Sequence, residues 1–315
     1  MSKLNIAILG CTGHVGKNLM YYFGREETFE LFLFSRDKRR ISNSIQHCEI
    51  RDSVSSRTYD EFSKLDYDVI INCIGISDPA KIESEGKLIL KLTEDTDTLI
   101  LEYLKTYPKV KLINFSSGAV YGEEINSPIN DTIFQKNLQE CDTSSPYAIA
   151  KIKSEIRHRD LDKLNIVDLR LFSFFSRFMD LNSRFLISEI ISSIKQNKKL
   201  ITNEFDFYRD YIHPKDLFSL LKKCINKNPI NDVFDLYSKK PIGKFELLNS
   251  LKDNFGLQYE IRPNSGFSSP TGFKKNYYSE SRKAKLLGYE PQYSSIETIV
   301  NEMKYFNCYP YKKSI

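Results

Sequence analysis

The chain has 315 residues, 41% of them hydrophobic and 28% charged, with a formal net charge of +5. That length and composition suffice for a full core with a smaller lobe, and a modest, dispersed charge argues against nucleic acid while suiting a nucleotide diphosphate. No apolar run approaches the roughly 20 residues that span a bilayer, and Cys11, Cys48, Cys73, Cys141, Cys224 and Cys308 form no Cys-x-x-Cys pair, so reduced thiols, no metal site, no membrane insertion and a cytoplasmic location are expected.

Leu4 to Leu9 reads as a first strand and runs directly into Gly10-Cys11-Thr12-Gly13-His14-Val15-Gly16, with a helix expected over His14 to Phe23. A strand, a glycine-rich turn and a helix in that order make a dinucleotide-binding unit. Gly10 permits the tight turn, Gly13 lets backbone approach a pyrophosphate, and Gly16 lets helix and strand pack closely. Thr12, His14 and Val15 complete this group of candidate cofactor contacts.

Leu31 to Phe34 reads as the second strand, ending at Ser35-Arg36 and followed by Asp37, Lys38, Arg39 and Arg40. An NAD enzyme usually carries a carboxylate there for the ribose 2′-hydroxyl, whereas a guanidinium pairs with a 2′-phosphate. Ser35, Arg36 and Arg39 therefore favour NADP(H), and Asp37 keeps NAD(H) open. A third strand is expected near Cys48 to Arg51, with Asp52 and Ser53 after it as adenine contacts. Val69 to Cys73 reads as the fourth strand, with Cys73 and Gly75 as further cofactor contacts, Val110 to Phe115 as the fifth and Ile166 to Leu171 as the sixth.

Helices are expected near Leu88 to Thr106 and Ser145 to Arg159. This alternation predicts an α/β fold, a doubly wound parallel sheet that binds ligands at the carboxyl ends of its strands. The polar stretch from Gly122 to Ser144 is too long for a tight connection and reads as a loop bordering the site. Beyond Leu171 the alternation loosens, with helices expected over 183–196, 214–226, 243–255 and 295–305. Residues 1–171 are thus expected to form the dinucleotide-binding domain carrying the catalytic groups. Residues 172–315 should form mainly a smaller α/β substrate lobe, interleaved with the sheet.

The reactive pattern is Tyr147-Ala148-Ile149-Ala150-Lys151, downstream of Ser116-Ser117. At that spacing a tyrosine and a lysine share one helix face. Phenols titrate near pH ~10 and a neighbouring ammonium favours the phenolate, which brings proton exchange toward the working range. With the Ser117 hydroxyl on the same substrate oxygen, the three groups can interconvert an alcohol and a ketone.

Gly10/Gly13/Gly16, Ser117 before Val120-Tyr121-Gly122, and Tyr147/Lys151 resemble the extended short-chain dehydrogenase/reductase superfamily. Within it the chain is similar to the nucleotide-sugar epimerase/dehydratase/ketoreductase group. Arg170-Leu171-Phe172-Ser173, Arg209-Asp210-Tyr211-Ile212-His213 and Lys283 to Pro291 continue the resemblance in order, the last as a C-terminal helix and strand, with Ser173 in place of an asparagine. The resemblance implies a Rossmann-type fold and a nucleotide-sugar substrate contacted by Ser116, Ser173, Arg184 and Arg209. It also implies a homodimer through helices 91–106 and 145–160, with Leu92, Leu99, Tyr103, Ile149, Ile152 and Ile156 on their apolar faces.

Dehydratases of the group follow the catalytic hydroxyl with Asp-Glu; here Gly118-Ala119 stands there, so elimination lacks its acid and base. The expected reaction is NADP(H)-dependent reduction of a 4-keto-6-deoxy nucleotide sugar in bacterial surface-polysaccharide synthesis. A nucleotide-sugar 4-epimerase is the alternative, and a non-catalytic NADP-binding sensor the next.

Overall fold

A computed structural model describes residues 3–50, 54–76, 79–122, 125–133, 143, 145–183, 185–263 and 274–309. Its centre is a seven-stranded sheet, all parallel, built from β1 (Leu4–Leu9), β2 (Phe29–Phe34), β3 (Val54–Arg57), β4 (Val69–Asn72), β5 (Lys111–Ser117), β6 (Ile166–Leu171) and β11 (Asn231–Asp235). The spatial order is β3-β2-β1-β4-β5-β6-β11. This is the doubly wound, Rossmann-like order, with the reversal between β1 and β4 opening a crevice at the carboxyl ends of the strands.

The inner strands β1, β2 and β4 are mainly apolar because both faces are covered, while β5, β6 and β11 also bury polar residues such as Asn114, Asp168, Arg170 and Asp235. Ile6, Ile8, Leu31, Leu33, Ile71, Ile113 and Phe115 pack on one side, with Leu19 and Phe23 of helix α1 (His14–Phe23) and Leu217 and Leu220 of a later helix. The alternate residues Ala7, Leu9, Phe32, Phe34, Ile70 and Leu112 pack on the other with Ile100, Tyr103 and Leu104 of α3 (Pro79–Thr106). Between these lies α2 (Lys38–Cys48), which follows β2. The third strand falls at Val54–Arg57, not near Cys48 to Arg51, because Ile41, Ser44 and Cys48 supply the buried face of α2. Asp52 and Ser53 therefore precede that strand, and both lie outside the described residues, as do Cys141 and Arg184.

Helix α4 (Pro146–Arg159) packs beside α3. The Ser145 hydroxyl caps it by accepting from Ala148 N, and Pro146 supplies a first-turn residue with no N–H to satisfy. Gly86 of α3 is needed for that packing, since a Cβ there would lie 2.9 Å from Pro146 Cγ.

Past β6 the chain leaves the sheet through β7 (Ser173–Phe174), α5 (Leu186–Gln196), β8 (Leu200–Thr202), β9 (Tyr208–Arg209) and β10 (Tyr211–Ile212). It returns with α6 (Pro214–Asn226) and β11, which pairs in parallel with β6. It leaves again through β12 (Ile242–Gly243), α7 (Lys244–Phe255), β13 (Tyr259–Ile261), β14 (Asn276–Tyr277) and α8 (Ser295–Met303). The lobe has its own core of Phe175, Ile187, Ile190, Ile191, Leu248, Leu251, Ile299 and Met303. Lys283–Leu287 is a single 3₁₀ turn ended by Gly288 at φ +79, and among the described residues no strand follows it.

Candidate active site

The glycine-rich turn has the geometry that close backbone approach requires. Gly10 sits at φ +73, a region L side chains rarely adopt, and its N-terminal neighbour strand leads straight into it. A Cβ on Gly16 would fall 2.4 Å from Gly10 O, so only glycine lets α1 pack on this turn. Gly13 is exposed, donates its N–H to Gly10 O at 3.0 Å, and begins α1 without a capping side chain. The first turn of α1 thus carries no side-chain cap on its N–H groups, as a pyrophosphate site needs. Thr12 and Val15 flank this turn, both half-buried.

The His14 side chain has a structural contact of its own. Its Nε2 lies 2.8 Å from Ser176 Oγ and its ring packs on Phe174, so its side chain braces the lobe against α1. Burial pushes its imidazole down to about 3, which keeps it neutral.

Beyond β2, Ser35 is buried while Arg36 and Arg39 are exposed. Asp37 caps α2, its carboxylate accepting from Arg39 N at 2.8 Å, and Lys38 pairs with Glu61 at 2.7 Å. Arg36 and Arg39 have no carboxylate within ion-pair distance among the described residues. At the end of β4, Cys73 N donates to Leu9 O, and the Cys73 thiol is pushed up by burial. A Cβ on Gly75 would lie 3.7 Å from Lys151 Nζ, so this loop runs beside that ammonium.

Ser117 ends β5 and Lys151 lies on α4 facing it. The Lys151 ammonium is buried and donates to Phe115 O at 2.7 Å, which ties α4 to the strand carrying Ser117. Tyr147 lies one helical turn earlier, partly buried against Ile89 and Ala150. The Ser117 hydroxyl accepts from Ala119 N at 3.2 Å and lies 3.3 Å from the hydroxyl of Tyr277, a residue the sequence reading did not single out.

Ser116, on the opposite side of the strand, is taken up elsewhere. Its hydroxyl donates to Glu155, which also receives Arg170 Nε at 2.9 Å. Arg170 donates to Tyr121 at 2.6 Å, and Tyr121 donates to Asp235 at 2.8 Å. Ser116 is thus a member of a buried polar network beneath the site rather than a substrate contact. Gly118 has no room for a side chain: a Cβ would lie 2.4 Å from the Phe172 ring. The space that a side chain at position 118 would occupy is filled by the Phe172 ring.

Arg209 lies on β9, paired in register with Tyr277 on β14. Its Nη1 donates to Tyr208 O and Lys274 O, both at 2.8 Å, and its guanidinium lies over the Phe207 ring at 4.2 Å. Burial pushes its pKa down. Neither Asp210 nor Asp216 pairs with it: Asp210 receives Ser238 N and Ser295 Oγ, and Asp216 receives the N–H groups of Gln292 and Tyr293. Ser173 sits on β7, paired with Tyr211, half-buried at the same end of the sheet. His213 caps α6 by accepting from Lys215 N and stacks on Tyr293 at 3.7 Å, a structural assignment. Among the described residues no group of three His, Cys, Asp or Glu could hold a metal, and no helix is long and apolar enough to cross a membrane.

A glycine-rich turn at the switch point, Ser117 at the end of β5, and Tyr147 and Lys151 one turn apart on α4 are the elements of a short-chain dehydrogenase/reductase-type fold. The chain belongs to the NAD dependent epimerase/dehydratase family, whose model matches residues 6–236. It is 20% identical over 304 residues to GDP-6-deoxy-D-talose 4-dehydrogenase of Aggregatibacter actinomycetemcomitans, covering 95% of this chain and 97% of that protein. Solved structures share the fold. UDP-glucose 4-epimerase from Thermotoga maritima, with UDP-glucose, gives a TM-score of 0.79 at 18% identity, over 96% of this chain and 99% of its own. UDP-glucuronic acid 4-epimerase from Bacillus cereus, with UDP-glucuronic acid and NAD, gives 0.80 at 18% identity over the same shares. dTDP-glucose 4,6-dehydratase from Bacillus anthracis, with NAD, gives 0.78 at 17% identity over 96% of each chain.

Proposed function

We propose that the protein reduces a 4-keto-6-deoxy nucleotide sugar, with NADPH as the reductant. The observation that carries this reading is the setting of Ser117: its hydroxyl ends β5, the Lys151 ammonium is bound to Phe115 O of the same strand with Tyr147 one turn earlier on α4, and the Phe172 ring fills the space a side chain at position 118 would need. The nicotinamide, when bound, supplies the hydride. Tyr147 gives its proton to the oxygen on carbon 4, Ser117 hydrogen-bonds that oxygen, and Lys151 holds the ribose hydroxyls and the phenol in line. Arg209, a half-buried cation that among the described residues is paired to carbonyls and rings, suits the substrate diphosphate as a planar fork. The Aggregatibacter relative is named for oxidation at position 4 of a 6-deoxy sugar, which is this reaction reversed.

NADP(H) is favoured over NAD(H) because Arg36 and Arg39 are exposed beyond β2 while the Asp37 carboxylate already caps α2. The 4-epimerase reading is kept alive by the epimerase neighbours, among which the Bacillus cereus protein holds NAD. A homodimer through α3 and α4 goes with the reading: Leu88 and Ile156 there are 52% and 53% exposed. Tyr103 plays no part in that surface, since it is buried with its hydroxyl on Leu65 O at 2.9 Å. Light scattering that returns the monomer mass would remove the dimer.

The test uses 4-keto-6-deoxy sugars on several nucleotides, beside UDP-glucose and UDP-GlcNAc. A ketoreductase lowers the NADPH absorbance in proportion to product and takes no unoxidised sugar. Epimer formation from the unoxidised sugars, with no added cofactor and no net absorbance change, would transfer the assignment to a 4-epimerase. NADPH binding with no turnover across the panel would leave the sensor.

A further inference from the structure

Tyr277 has no role in the reaction as derived so far, yet its hydroxyl is 3.3 Å from Ser117 Oγ. It is held there firmly. Its strand β14 pairs with β9, its ring meets the Phe172 ring edge-on at 5.1 Å, and Asn276 N donates to Ile125 O at 3.0 Å. Tyr278 O and Ser279 are in turn tied to Ile129, so the segment 276–279 is braced from the 125–129 side as well. Burial pushes the Tyr277 phenol up, with Tyr147 adding to the rise, so it keeps its proton throughout the working range.

A serine hydroxyl has two acceptor sites and one proton. In Ser117 one acceptor site is filled by the Ala119 N–H at 3.2 Å. With Tyr277 donating into the second, both acceptor sites are used, and among the described residues the remaining O–H has no further partner, which leaves it for a group in the cleft. A ketone oxygen is such a group, since it accepts and cannot donate. We propose that Tyr277 is a positioning residue: by donating to Ser117 Oγ it fixes the serine as a hydrogen-bond donor to the substrate's carbon-4 oxygen. It prepares the serine before substrate arrives, so the orientation is present in the ground state and strengthens as negative charge develops on that oxygen.

This inference rests on the proposed reaction at carbon 4, and the experiment separates the two. The probe is the panel substrate that the wild type turns over fastest, followed at the nicotinamide band. Tyr277→Phe keeps the ring packing and deletes only the hydroxyl. It should lower kcat about five- to tenfold, the size of one lost neutral hydrogen bond, with KM, NADPH affinity and melting temperature unchanged. Ser117→Ala should lower kcat about 10²-fold, the scale of a lost oxyanion donor, and adding Tyr277→Phe to it should change nothing further. Losses that multiply in the double variant, or a Tyr277→Phe enzyme with wild-type kcat, overturn the positioning role while leaving the reaction standing. A loss beyond about 10²-fold for Tyr277→Phe alone would make the phenol itself the direct donor, which also overturns it. Full activity in Ser117→Ala and Tyr147→Phe, or turnover of no panel member by the wild type, would bring down the proposed reaction and this inference together.

Discussion

His158 carries a prediction whose size follows from the structure. The imidazole is buried in α4 with Asp168 at 3.0 Å from Nδ1 and Asp97 at 3.5 Å from Nε2. Burial on its own pushes the imidazole down, but Asp168 and then Asp97 outweigh it and raise its pKa to about 9 from 6.5. Arg159, on Asp168 at 2.7 Å, and Arg157, on Asp97 at 3.7 Å, balance the remaining carboxylate charge. The folded-state value exceeds the unfolded one, so the stabilisation is complete below pH 6.5 and is lost as pH rises through about 9. At about 1.4 kcal/mol per unit, this is about 3 kcal/mol. With an unfolding entropy of about 2.1 cal/mol/K per residue, that corresponds to about 5 °C in melting temperature for a chain of this length. Melting of the ligand-free wild type and His158→Gln, measured from pH 6 to pH 10 at fixed ionic strength, should show the gap between the two narrowing by that amount. A gap constant across the range would mean the imidazole is neutral in the folded protein and refute the charge argument.

Three further outcomes test the site. Arg36→Ala should weaken NADPH binding by roughly 1.5–3 kcal/mol in a fluorescence titration and leave NADH nearly unchanged; equal losses, or a wild type that prefers NADH, would remove the 2′-phosphate contact. Tyr147→Phe should bind cofactor normally and lose turnover by about 10²-fold or more, and near-normal turnover would take Tyr147 out of the mechanism. Arg209→Lys should raise KM for the nucleotide sugar while NADPH affinity holds, because the charge stays and the fork is lost; an unchanged KM would leave Arg209 as a peg for the Tyr208 and Lys274 carbonyls.

The sheet was legible because local signals agreed. Leu4–Leu9 and Ile166–Leu171 are short, mainly apolar segments whose alternate residues enter two different cores, and at six residues they favour strand over helix. Ser145-Pro146 marks the start of α4 by cap chemistry alone. The third strand was misplaced because Val54-Ser55-Ser56-Arg57 has a single apolar side chain and forms the edge of the sheet. Its identity as a strand comes from pairing with Leu31 to Phe34, a tertiary effect that no local window contains.

At the site, what sequence could reach were residues whose chemistry is local: glycines in a turn, and a tyrosine and a lysine one turn apart. Tyr277 escaped because β14 is two residues long and gains its place through tertiary partners, the equally short β9 and the 125–129 segment. Ser116 and Ser117 illustrate the same limit from the other direction. Adjacent residues of a strand point to opposite faces, so of two neighbouring serines only one can reach the crevice, and the pleat at β5 decides which. The sequence offers the same hydroxyl twice; Glu155, anchored by Arg170, claims the first, and Tyr277 with Ala119 N surrounds the second. The asymmetry between the two serines is therefore made by residues from α4, β6 and β14. A serine exchange tests it: Ser116→Ala should reduce stability with little change in kcat, while Ser117→Ala should reduce kcat with little change in stability. The opposite pattern, read from melting and turnover on the same preparations, would place the wrong hydroxyl in the crevice.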